Sequence, residues 1–242
     1  MSTASKTPEA NCAACPFTKP TDRRCVRPEG KNPPDCPTVN MPDVADESLA
    51  VYKSAEFAKM ATIASQVERA GYAREANGLH AVRPRIVELV DFAKRMGYKK
   101  LGLIFCIGLR KEAAITEKIL ATNGFEVTSC VCKVGCLPKS ELGLTVAEQL
   151  RPKGHESMCN PAMQAEIANR AGTQLNILLG LCVGHDSLVL AHLKAPSTIL
   201  AVKDRLMGHN PLAALYMYDS YYAWMHNPMF PEEPEPGFPK GE

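Results

Sequence analysis

Ten cysteines are spread unevenly along this chain, and several stand where an apolar run meets a turn or a helix. The clearest case is Asn176–Asp186, Asn-Ile-Leu-Leu-Gly-Leu-Cys-Val-Gly-His-Asp. The apolar run Ile177–Leu181 stops at Cys182, Gly184 to Asp186 follow, and a helical apolar pattern begins at Ser187. That order reads as a buried strand, a glycine turn and a helix. Such a junction sets a thiol near a helix N-terminus, where backbone N–H groups and the helix dipole favour the thiolate, the form that attacks or binds metal.

Cys106 and Cys132 close two other apolar runs, and Cys159 stands immediately before Asn160-Pro161, a strong helix start. Cys106, Cys132, Cys159 and Cys182 are therefore the candidates for one cofactor site, and Cys136 can replace any of them. Four thiolates would saturate a cluster for electron transfer. Three would leave an iron open to a substrate, and three thiolates on zinc with a water would support hydrolysis. A redox dithiol, or cysteines that merely pack as small apolar groups, are the other readings. Cys130 fits the last of these, because it lies inside its apolar run rather than at the end. His185 follows Cys182 in Cys-x2-His spacing and can serve as ligand, general acid or helix cap. Arg205, beside Lys203 and Asp204 at the end of the last apolar run, is a candidate to hold an anionic substrate. His185 and Arg205 are the two candidate catalytic residues. His209 is a weaker candidate for the same site.

A second cysteine group lies in residues 11–43. Cys12, Cys15, Cys25 and Cys36 stand among seven prolines with few apolar residues. Such a segment cannot build a core and needs another means of fixing it. A Cys-x2-Cys pair followed by two more cysteines supplies four thiolates, enough for a tetrahedral zinc or a 4Fe-4S cluster. The later spacings, nine and ten intervening residues, match neither a ferredoxin nor a standard zinc ribbon. An iron–sulfur cluster is the preferred cofactor and zinc the alternative.

The elements that position these residues can be read in order. Ser48–Ala70 carries apolar residues at helical spacing, and a second helix runs from Pro84 to Gly97 after a polar connection. From Lys99 the pattern alternates strand and helix. Strands are expected at Leu101–Phe105, Phe125–Val131, Asn176–Leu181 and Ser197–Val202. Helices are expected at Glu112–Thr122, from Pro161 to Ala171, at Ser187–Leu193, and from Asn210-Pro211 to about Trp224. Alternation of this kind predicts an α/β fold, a parallel sheet of about four strands with helices on both faces in a Rossmann-like three-layer arrangement. The expected organisation is a cysteine-rich module at 1–43, a helical segment packing on the core at 44–98, an α/β domain at 99–226 and a flexible tail at 227–242. Ligands of such sheets bind beyond the carboxyl ends of the strands, where these cysteines fall.

Composition narrows the function. A net charge of +2, with 45% hydrophobic and 22% charged residues, is ordinary for a globular chain and argues against nucleic acid as a partner. No apolar run approaches a membrane span, and the polar start lacks the apolar core of a secretory signal, so a cytoplasmic location is expected. In a reducing compartment clustered cysteines bind metal or do chemistry more often than they form disulfides. There is no Gly-x-Gly-x-x-Gly after the first strand of the α/β domain, no Walker sequence and no nucleophile elbow.

The strings Phe-Cys-Ile-Gly-Leu (105–109), Met-Cys-Asn-Pro (158–161), Gly-Leu-Cys-Val-Gly-His-Asp (180–186), Lys-Asp-Arg (203–205) and Gly-His-Asn-Pro (208–211) resemble a cysteine-rich prokaryotic family of unknown function. Its members are described as predicted metal-binding proteins. The resemblance extends over nearly the whole chain and implies metal binding, with no reaction or ligand set attached. The resulting expectation is a metal-thiolate protein, preferably iron–sulfur, whose strand-end thiols serve redox or sulfur chemistry. Its partner would be a redox protein or a small sulfur-containing or anionic substrate. A non-catalytic zinc protein with metal-storing or sensing core thiols, and an electron carrier docking on a partner enzyme, are the alternatives.

Overall fold

The computed structural model describes residues 10–151 and 153–229. Residues 230–242, most of the expected flexible tail, lie outside the described residues. The chain divides into two compact units, the first ending at Ala70 and the second beginning at Gly71.

In the first unit, residues 10–43 contain no buried side chain, as the scarcity of apolar residues requires. Short 3-10 turns at Cys12–Ala14 and Pro20–Asp22 lead to helix α1 (Pro37–Asn40), with Cys36 as its N-cap residue and Pro37 in its first turn. Local hydrogen bonds order the segment. Arg24 N–H donates to the Lys31 carbonyl at 2.8 Å and Lys31 N–H to the Asp22 carbonyl at 2.7 Å, closing the loop that carries Cys25. Gly30 lies so close to the Arg23 backbone that any Cβ there would collide with it.

The single helix expected over Ser48–Ala70 is two helices, α2 (Pro42–Lys53) and α3 (Ala58–Ala70). Ser54 makes the break. Its backbone is extended, and its hydroxyl donates to the Val51 carbonyl at 2.7 Å while accepting from Phe57 N–H at 3.3 Å. A serine that bonds its neighbouring backbone in this way competes with helix continuation. Leu49, Val51 and Tyr52 on α2 are exposed, whereas Ile63 and Val67 on α3 are buried.

The second unit opens with an antiparallel hairpin, β1 (Tyr72–Glu75) and β2 (Gly78–Ala81), in the stretch read from sequence as a polar connection. Helix α4 (Arg85–Met96) follows, ending at Gly97 in the left-handed region. The main sheet comprises β3 (Lys100–Phe105), β4 (Glu126–Val131), β5 (Leu175–Leu181) and β6 (Ser197–Val202), all parallel, in the order β4-β3-β5-β6. The helices between and after them are α5 (Arg110–Thr122), α6 (Pro161–Ala171), α7 (His185–His192) and α8 (Leu212–Tyr216). No described helix is long and apolar enough to cross a membrane.

Alternate residues of each central strand feed opposite faces, except that the irregularity at Gly180 turns Leu181 to the face opposite Leu179. Leu101, Leu103, Ile177 and Leu179 pack with Leu89 and Ala93 of α4 and with Ala113 and Leu120 of α5. Ile104, Leu178 and Leu181 pack with Ala168 of α6 and Val189 of α7. The result is a three-layer α/β/α unit around a four-stranded parallel sheet. The helix after β3 lies on one face and the helix after β5 on the other. The neighbours β3 and β5 therefore form the topological switch point, the place where ligands of such sheets generally bind.

Candidate functional site

Cys106 directly follows β3 and Cys182 directly follows β5, so the two residues flank the switch point. Cys132 follows β4, and its N–H donates to the Phe105 carbonyl at 2.8 Å. Cys159 arrives from a long loop. Asn160 N–H donates to the Cys132 carbonyl at 2.8 Å, and the Asn160 side chain accepts from Met163 N–H at 3.1 Å as the N-cap of α6. The cap therefore docks the helix start on the end of β4 and sets Cys159 beside Cys132. Gln164, fully buried one turn on, donates from its amide to the Phe105 carbonyl at 3.2 Å and the Cys130 carbonyl at 2.9 Å. One side chain thus ties the ends of β3 and β4, each just ahead of a site cysteine.

Three of the five strand-end candidates come together. Cys106, Cys132 and Cys159 pack in one cluster, with Cys132 the neighbour that acts most strongly on each of the other two. The Cys132 sulfur also accepts from Ile107 N–H at 3.3 Å. The hydrogen bond from Cys132 is the main cause that pulls the Cys106 thiol down to about 5, against burial and aided by Gly108 N–H and the Lys203 ammonium. Cys159 is likewise pulled down to about 5, first by Cys132 and then by Lys133 and His185. Cys132 is driven the other way, by its two thiolate neighbours and by burial. Proton loss is thus favoured at Cys106 and Cys159 over Cys132, whose single S–H can serve only one of them at a time. Each thiolate has its own lysine, Lys203 for Cys106 and Lys133 for Cys159.

The remaining candidates occupy separate environments. The Cys182 sulfur accepts from the Arg205 guanidinium at 2.9 Å, and its carbonyl receives His185 N–H and Asp186 N–H at the start of α7. Gly184 is the N-cap residue of that helix, and Asp186 accepts from Ser187 N–H instead of capping it. Cys136 has a left-handed backbone, φ 51°, and its sulfur lies 3.5 Å from His155 Nε2 and 3.4 Å from Ser157 Oγ. His209 has φ 68°, and its Nδ1 accepts from Asp204 N–H at 3.2 Å, so its ring closes its own loop. Cys130 is buried within β4 with its thiol pushed up to about 11 by desolvation. Lys133, His155 and Ser157 escaped the sequence reading. For Lys133 the signal was its place directly after a strand-end cysteine; for the other two there was none.

In the first unit Cys12, Cys15, Cys25 and Cys36 line one cleft together with Arg23 and Asp35. All ten cysteines are free thiols. Among the described residues, no three His, Cys, Asp or Glu side chains stand close enough to share a single metal ion.

Residues 36–200 match the family described as "Protein of unknown function (DUF1847)". The chain belongs to this family. The DUF1847 match takes in Cys36 and every strand-end cysteine; Cys12, Cys15, Cys25 and Arg205 fall outside it. The description names no metal and no reaction. The chain is also 40% identical over 174 residues to the uncharacterized protein MJ0455 of Methanocaldococcus jannaschii, covering 72% of this chain and 84% of that relative. No solved structure gives a significant match.

Proposed function

We propose that this DUF1847 protein is a metal-thiolate protein in which Cys12, Cys15, Cys25 and Cys36 hold an iron–sulfur cluster. On this reading the thiols at the strand ends of the α/β unit carry out redox or sulfur chemistry. One observation carries the reading. Four cysteines from distant points of a segment without a buried side chain line a common cleft. Nothing apolar holds that segment, so a ligand bound by the four thiols is the natural source of its order.

Four sulfurs around one zinc would stand about 3.8 Å from one another at a bond length of about 2.3 Å, whereas a cubane spreads its thiolates around a larger body. The four thiols share one cleft that could close on either, and the cluster is the reading proposed. Bound there, a cluster supplies one-electron transfer. Arg23 in the same cleft would offset part of the negative charge of a thiolate-bound cluster, while Asp35 there would add to it.

At the strand ends the cations fit the same scheme. Lys203 neighbours Cys106, Lys133 neighbours Cys159, and Arg205 donates to Cys182. A thiolate group rimmed by cations suits a small anionic or sulfur-containing substrate, or an acidic patch on a redox partner. A cytoplasmic location is proposed on the same chemistry, because free thiols persist in a reducing compartment.

The test is iron and acid-labile sulfide content of anaerobically purified full-length protein, with a visible spectrum. About four irons and four sulfides per chain are expected, both lost when Cys12 and Cys15 are replaced by serine. Zinc without sulfide, or metal content indifferent to those substitutions, would sink the iron–sulfur reading.

A further inference from the structure

We infer that Cys136 and His155 form an exposed thiol-exchange site that accepts low-molecular-weight disulfides, and that Cys159 is the thiol that resolves it. The inference deepens the strand-end half of the proposed function, and it stands whether or not the N-terminal cysteines bind metal.

Cys136 and His155 are both exposed. The Cys136 sulfur lies 3.5 Å from His155 Nε2, and Ser157 Oγ is within 3.4 Å of that sulfur and 3.0 Å of the imidazole. An imidazole at this range can take the thiol proton, the standard route to an attacking thiolate. The surrounding loop is built to hold the pair. Glu156, between His155 and Ser157, is tied to Lys139 at 2.6 Å and accepts from Arg151 N–H at 2.8 Å, with its own side chain largely buried.

The same loop leads to Cys159. Pro138 and Ser157 pair in antiparallel fashion, flanked by Lys139 N–H to the Glu156 carbonyl at 2.9 Å and Met158 N–H to the Leu137 carbonyl at 2.7 Å. Two residues beyond this isolated bridge, toward the same end, stand Cys136 and Cys159. The left-handed backbone of Cys136 (φ 51°) ends the pairing before it reaches them, so a disulfide between them, which needs Cα atoms about 4.4–6.8 Å apart, forms by movement of the exposed loop around Cys136. Lys133 links the two environments, because its ammonium donates to the Ser157 carbonyl at 2.6 Å and also neighbours the Cys159 sulfur.

The chemistry balances in two displacements. The Cys136 thiolate attacks one sulfur of a disulfide RSSR, giving a Cys136–S–S–R mixed disulfide and releasing RS⁻. The Cys159 thiolate then attacks Cys136 Sγ, forms the Cys136–Cys159 disulfide and releases the second RS⁻. Two protein thiols are oxidised, one RSSR is reduced to two thiols, and His155 holds the proton that Cys136 gives up. Oxidation of Cys159 also takes one thiol from the three-cysteine cluster, so the disulfide state of the loop controls that cluster.

The experiment treats the full-length protein, under nitrogen, with oxidised glutathione and maps peptides by mass spectrometry. In the wild-type protein a Cys136–Cys159 linked peptide should accumulate without retained glutathione. In Cys159→Ser, and in Cys159→Ala as a second variant, a glutathione adduct should persist on Cys136. His155→Ala should slow the first step about tenfold or more, and Cys136→Ser should remove the fast consumption of disulfide. A wild-type adduct that never resolves, a link between other cysteines, or unchanged consumption by Cys136→Ser overturns the inference. Iron and sulfide are measured on the same samples, so failure here and failure of the cluster reading are separate results.

Discussion

The Arg205 guanidinium reaches across from the end of β6 to the Cys182 sulfur at the end of β5, 2.9 Å away. A double-mutant cycle with Arg205→Ala and Cys182→Ala measures what this contact contributes. An exposed pair of this kind is expected to show a coupling energy of about 0.5–1 kcal/mol in urea unfolding. Coupling indistinguishable from zero would mean that the two side chains act independently.

Gln164 makes a different prediction. Its amide ties two strand-end carbonyls in the buried interior, so Gln164→Leu should cost about 1–3 kcal/mol. It should also speed alkylation of Cys132, which is nearly inaccessible in the native protein. An unchanged alkylation rate in a destabilised variant would show that Gln164 supports the fold without holding the thiols in place.

Gly102 on β3 pairs with Asn176 on β5, and a Cβ at Gly102 would run into the Asn176 amide oxygen. That oxygen already accepts from the Thr173 hydroxyl at 2.8 Å in a fully buried setting. Gly102→Ala should therefore destabilise the second unit by about 1–3 kcal/mol, read as a lowered urea midpoint. A midpoint equal to that of the wild type would show that the β3–β5 contact has slack.

The pH dependence follows from the cysteine cluster. Cys106 and Cys159 sit near 5 in the folded protein, against about 8.5 for an unfolded thiol. Between those values the unfolded chain binds more protons than the native one, so stability rises with pH across this window. The contribution is fully present above about 8.5 and is lost as pH falls through 5. Urea midpoints from pH 5 to 9 should show a rise that disappears in Cys106→Ser/Cys159→Ser. A wild-type slope identical to that of the double variant would assign the rise to other groups.

Much of the α/β unit was legible in sequence because period and punctuation agree there. β6 was read with the bounds it has, and β3 to β5 within a residue, since each apolar run ends at a turn signal. The hairpin Tyr72–Ala81 was missed because its strands are short and largely exposed and so lack an apolar face. Only Asn77-Gly78 marks it. The final helix was read too long. It stops at Tyr216, and a 3-10 turn at Ala223–His226 follows; Tyr216 and Tyr221 are exposed, so no buried face extends the helix. The approach of Cys106 and Cys132 was legible from their strand-end positions, whereas Cys159 joins them through the Asn160–Cys132 backbone bond, which spacing does not encode. The partnering of Cys182 with Arg205, and of Cys136 with His155, depends on strand order and loop pairing that local spacing does not encode.

The strand order β4-β3-β5-β6 also bears on how the chain reaches this state. β3 meets β4 after one short helix, but it waits for β5 until the long loop and α6 have been made. Pairings between distant segments are entropically delayed and slow to nucleate. During that interval the edge of β3 that will receive β5 is bare, while the thiols of Cys106 and Cys132 are already near one another. Biogenesis under oxidising conditions should therefore trap premature crosslinks between early-formed strands, and refolding yield should depend on the reductant present before β5 docks.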